Sequence, residues 1–223
     1  MGAKQEAQDW AELVRRYGER HEVTYEPVGG INPKDGPVAL CVGGVNRLTG
    51  QLAEGFWGAS CDADEREMGG FLNKAVLPTA ILAKAHMPDL AQVVPAFNVE
   101  SIEGAEHVTQ RFSRKVEFES IDFNKRFWAT VPKEHDPVAL RELFSPGFLG
   151  WVTTIQGEID FGVNDRQLWF LWRLGERSEE ELKAALRNAG QLFRRLQAEM
   201  EESGIHTYAP GPWHAGLAPF PDV

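Results

Sequence analysis

The sequence predicts an α+β domain: an antiparallel sheet flanked by helices, with a long C-terminal helix packed on the sheet. Three observations carry this. Val116 and Phe118 alternate with Glu117 and Glu119, the period-2 pattern of a half-buried strand. Ile159, Phe161 and Val163 alternate up to Asn164-Asp165, and Trp169–Leu174 returns as a nearly continuous apolar run with Arg173 the exception. That pair reads as a hairpin whose second strand is covered on both faces. Last, Leu182, Leu186, Ala189, Phe193, Leu196 and Met200 recur at alternating three- and four-residue steps, a helical seam suited to lying on a sheet. The seam is short for a coiled-coil dimer.

In chain order, Trp10, Leu13, Val14 and Tyr17 form the stripe of an opening helix that stops at Gly18 and faces either the core or a partner helix. Glu22–Val28 reads as a strand, followed by a loop from Gly29-Gly30 to Gly36-Pro37. Val38–Val45 and Leu52–Ala59 predict a hairpin turning at Asn46–Gly50. In that register Cys41 lies opposite about residue 55, out of bonding reach of Cys61. Gly43-Gly44 lacks the spacing of a phosphate-binding loop and predicts a bulge or a close backbone approach. Cys61–Gly70 has the composition of an exposed acidic loop or strand end. Its Asp62, Asp64, Glu65 and Glu67 fail the EF-hand register, so no metal site is assigned. Val76–Ala85 holds Pro78, which suits an edge strand or a strand start. Met87-Pro88 and Val94-Pro95 lead to Phe97-Asn98-Val99.

The apolar parity changes between Val116/Phe118 and the odd-numbered Ile121, Phe123, Phe127, Ala129 and Val131. One regular strand cannot keep both sets on one face, so a bulge or tight turn is expected near Ser120–Asn124. Ser120 and Asn124 are assigned there as structural residues that satisfy backbone groups. His135-Asp136-Pro137 and Ser145-Pro146 each offer a capping acceptor followed by proline at the first helical position, and so predict two short helices. Ser178 and Glu181 form a capping box for the last helix, which runs to about Ser203 with Gly204 as its stop. Residues 1–205 are read as one α+β domain, with Glu100–His107 the best place for a sub-boundary. Residues 206–223 are read as an extended Pro- and Gly-rich tail whose Trp213 and Phe220 dock on this domain or on a neighbouring subunit.

Glu119-Ser120-x-x-Phe123-Asn124-x-x-Phe127, the segment with Leu143 and Pro146, the Trp169–Trp172 strand and the closing helix together resemble a family of uncharacterised bacterial proteins. The resemblance covers roughly residues 90–200. It implies no activity, cofactor or catalytic residue. Members of that family often bear a pair of N-terminal membrane-spanning segments, a pattern from which this chain departs.

A net charge of −10 argues against a nucleic-acid partner, which requires a basic face. No apolar run approaches the ~20 residues of a membrane span, and the polar stretch Met1–Gln8 lacks a signal-peptide core, so a cytoplasmic location is expected. The six histidines show no HxH or HExxH spacing, and no GxSxG elbow occurs. No catalytic residue, metal or cofactor is assigned. The expected function is a non-catalytic binding or assembly module, with a protein partner or self-association. The alternative is a small apolar ligand held between the sheet and the long helix. A weak hydrolase, built on a Cys–His or carboxylate pair, is the third reading.

Overall fold

The computed structural model describes residues 3–29, 44–52, 55–62, 80–86, 96–102, 113–164 and 167–203. Along the chain these form α1 (Ala3–Arg20), β1 (Thr24–Gly29), β2 (Gly44–Leu52), β3 (Gly55–Asp62), β4 (Ala80–His86), β5 (Phe97–Ser101) and β6 (Ser113–Val116). Then come α2 (Ile121–Arg126), β7 (Phe127–Pro132), α3 (Pro137–Leu143), α4 (Pro146–Val152), β8 (Ile159–Asn164), β9 (Gln167–Arg173) and α5 (Glu179–Glu202). The strands make one sheet in the order β1-β2-β3-β4-β9-β8-β5-β7-β6, and every neighbouring pair is antiparallel. The fold is α+β, with the long C-terminal helix packed on β4 and β9.

Register explains why one face of this sheet is a core. Leu48 pairs with Ala59, Ala59 with Ala83, Ala83 with Phe170 and Phe170 with Phe161. The same row continues through Val99 and Ala129 to Val116. All eight belong to one buried apolar cluster, which also takes in Trp10, Val14 and Tyr17 of α1 and the α5 seam. Alternation therefore sends this whole row toward the helices and the intervening residues to the opposite face. Leu182, Leu186, Ala189, Phe193, Leu196 and Met200 are fully buried, so side chains fill the space between sheet and long helix.

Three sequence expectations are corrected. The first helix does not stop at Gly18 but continues to Arg20. Gly18 is needed for close approach, since a Cβ there would lie 3.0 Å from the Val23 carbonyl oxygen and 3.1 Å from Leu48 Cδ2. The hairpin expected to turn at Asn46–Gly50 is displaced: Asn46–Gly50 lies within β2, and β2 and β3 close between Leu52 and Gly55. Asn46 supplies the false signal. Its backbone is left-handed (φ 55°), as a turn asparagine's often is, but it serves as a kink inside the strand. Tyr25 Oη donates to its Oδ1 (2.9 Å), and its Nδ2 donates to Asp62 Oδ2 (2.7 Å). With that register the spacing argument about the two cysteines loses its basis; Cys61 is buried, and Cys41 lies outside the described residues. Of the two alternatives at Pro78, the edge strand is overturned, β4 being paired on both sides, while the strand start holds, β4 beginning two residues after it.

The parity change is accommodated by a helical turn, α2, rather than a bulge. Ser120 caps it, its Oγ accepting from the Phe123 amide (3.3 Å). Asn124 grips Phe118 from both sides, Oδ1 accepting from the Phe118 amide (3.1 Å) and Nδ2 donating to the Phe118 carbonyl (2.6 Å). Phe123 is thereby inserted edge-on against Phe118, with 5.1 Å between ring centroids. Asn124→Ala leaves both Phe118 backbone groups without these partners, and a loss of about 1–3 kcal/mol is expected in chemical denaturation. A melting curve unchanged from wild type would contradict this role.

The helix starts follow the capping chemistry. Asp136 accepts from the Val138 amide (2.9 Å) and Ser145 from the Phe148 amide (3.1 Å), each ahead of a proline in the first turn. At α5 only half of the capping box forms. Ser178 Oγ accepts from the Glu181 amide (3.2 Å), but the Ser178 amide donates to Glu176 O, and Glu181 Oε2 receives the Trp172 indole N–H (2.7 Å). Glu181 thus ties the long helix to β9.

Candidate functional site

The face of the sheet turned away from the main core mixes apolar and charged residues. Ala80, Leu82 and Leu171 are buried there as a separate cluster, with the half-buried Trp169 against them. Gly162 on the neighbouring strand makes room for that indole, since a Cβ would lie 2.2 Å from the Phe97 carbonyl oxygen and 2.9 Å from Trp169 Nε1.

Beside this patch lies a buried charge cluster. Asp160 stands opposite Leu171 on β9, and continuing the β5–β8 register places Glu100 opposite Asp160 on the other side. Side chains directly opposite on antiparallel strands have their Cβ atoms about 5 Å apart. Asp160 Oδ2 accepts from Arg173 Nη2 (2.6 Å), and its Oδ1 accepts from the Ser101 amide (2.9 Å). Arg173 Nε lies 3.7 Å from Glu158 Oε2, too long for a hydrogen bond but close enough for an ion pair. The Arg173 side chain is only 9% exposed, yet its Nη1 has no hydrogen-bond partner. A buried guanidinium N–H without an acceptor is costly. The cluster borders solvent at Glu158, whose side chain is 42% exposed.

Burial pushes the Glu100 carboxyl up to about 7, with the nearby Asp160 charge adding to the effect and Arg173 opposing it. The folded protein therefore holds this proton more tightly than the unfolded chain, whose ordinary value is 4.5. Glu100's contribution to stability is greatest below 4.5, falls as pH rises from 4.5 toward 7 and is constant above. The full fall is about 3 kcal/mol at most. Denaturation curves over that interval should show this decline in wild type and lack it in Glu100→Gln. Parallel curves for the two proteins would contradict it.

Elsewhere a concavity of about 610 Å³ lies between α1 and the connection from β9 to α5. Glu6, Asp9, Leu13, Leu174, Glu176 and Arg177 line it, with Trp10 at its floor. Arg177 is engaged there by Asp62 (2.8 Å). This groove is not the expected apolar pocket between sheet and long helix, where the α5 seam is filled.

Of the residues singled out from sequence, Ser120, Phe123, Asn124 and Phe127 come together as a folding motif, while Glu119 is exposed. Trp213 and Phe220, like Asp64, Glu65, Glu67 and Gly204, lie outside the described residues. Sequence reasoning passed over Glu100 and Asp160 and assigned Arg173 no partner. A usable signal was present: an arginine interrupting a strand read as covered on both faces needs a buried partner. No group of three or more potential metal ligands occurs among the described residues, and no described helix is long and apolar enough to cross a membrane. No protein-family model, curated protein or solved structure matches the chain.

Proposed function

We propose that this chain is a non-catalytic binding module whose ligand is held at the Glu100–Asp160–Arg173 cluster. The observation that carries the reading is the Arg173 guanidinium, fixed through Nη2 by Asp160 while Nη1 lacks an acceptor. Fixing the guanidinium before binding reduces the ordering cost of using its remaining N–H groups. Both Asp160 oxygens are already engaged, by Arg173 and by the Ser101 amide, so the Glu100–Asp160 carboxylates are not a free acid–base pair, which favours binding over hydrolysis. The filled α5 seam favours it over an apolar ligand beneath the long helix. The Glu119–Phe127 motif, on which the family resemblance rests, is spent on capping and core packing and supports no ligand role.

Ligand-observed NMR with a mixed library of charged and neutral fragments tests this. Fragments that receive saturation from wild type and lose it in Arg173→Lys are expected. The reading fails if no fragment distinguishes the two folded proteins.

A further inference from the structure

Resting on that reading, we infer that the cluster takes an uncharged carbonyl or amide group, its oxygen accepting from Arg173 Nη1. The charge already in place decides the class. Arg173 is shared by Asp160, through a hydrogen bond, and by Glu158, through a longer ion pair. The surroundings of the unpartnered N–H are therefore neutral or negative before Glu100 is counted. A carboxylate or phosphate approaching Nη1 meets two carboxylates on the same guanidinium, and like charges at close range in a poorly solvated site repel strongly. A cationic group has no lone pair to offer. An uncharged oxygen satisfies Nη1 without bringing charge into the site.

Glu100 supplies the complementary contact. It lies across from Asp160 in register and makes no hydrogen bond among the described residues. An amide presents an acceptor and a donor on one rigid plane, so its C=O can meet Arg173 while its N–H meets the Glu100 carboxyl. Trp128, half-buried opposite Glu100 in register, is the apolar neighbour for the adjoining carbons, Leu82 and Leu171 being already buried. The same chemistry is found in a free small amide and in a peptide group.

The test follows the Arg173 side-chain N–H signals and the Glu100 carboxyl carbon of labelled wild-type protein. Three probes are titrated: N-methylacetamide, the blocked peptide N-acetylglycine N-methylamide, and acetate. Saturable shifts of Arg173 with an amide and none with acetate are expected, and Arg173→Lys should weaken amide binding at least about tenfold. Response to the small amide but not the peptide assigns a free amide; response to the peptide alone assigns a peptide group; both outcomes support the class. Stronger response to acetate overturns the inference but leaves a binding site in place. No response of Arg173 to any probe overturns both. Should Arg173→Lys fail to fold, the wild-type Arg173 signals still decide.

Discussion

Phe161→Ala is expected to lower stability by about 3–5 kcal/mol, among the largest single losses available in this fold. Phe161 is fully buried at the centre of the helix-facing row. Its ring contacts Phe127 and Phe148 edge-on, at 6.4 and 6.2 Å, and Phe144 at 6.4 Å. These three come from β7, α4 and the end of α3, so one ring joins the sheet to two helices. Truncation removes both the transfer energy and the aromatic contacts, and the surrounding rings belong to separate elements that cannot all collapse into the void. Guanidinium denaturation measures the loss. A cost below about 1 kcal/mol would mean that this cluster is not the core.

The second large effect concerns charge. Arg173→Met leaves Asp160 buried with only the Ser101 amide as partner, and a loss of about 3–5 kcal/mol is expected. Combining it with Asp160→Asn removes the unpaired charge, so the double variant should recover much of that loss. A double-mutant cycle on folded proteins reads the coupling. Additive losses would show that the pair is not energetically joined. The same Arg173 substitution removes the influence that holds the Glu100 carboxyl down, so that carboxyl should move further up.

The elements that were legible in the sequence are those where local chemistry and burial agree. Asp136-Pro137 and Ser145-Pro146 start helices because the cap and the fixed proline φ act within one turn. The α5 seam and the β8–β9 hairpin were legible because a single periodicity runs through each. Asn46 misled because a residue that tolerates left-handed backbone fits a strand kink as well as a turn, and its deciding partners, Tyr25 and Asp62, are remote in sequence. Ser120–Asn124 showed where the strand breaks, but periodicity alone did not distinguish a turn from the six-residue helix α2. The charge cluster was hidden for a third reason. Glu100, Asp160 and Arg173 sit on separate strands, and only the order β9-β8-β5 brings them together. Glu100 and Asp160 by themselves look like ordinary outward-facing polar residues, and Arg173 signals a buried partner without saying which.

That the sheet face opposite the long helix buries a proton-holding carboxyl beside a fixed Asp–Arg pair is tested most directly by carbon-detected NMR titration of the Glu100 side chain. A midpoint of about 7 in wild type is predicted, lower in Asp160→Asn, where the neighbouring charge is gone but burial remains. A wild-type midpoint near the ordinary 4.5, unmoved by Asp160→Asn, would contradict it.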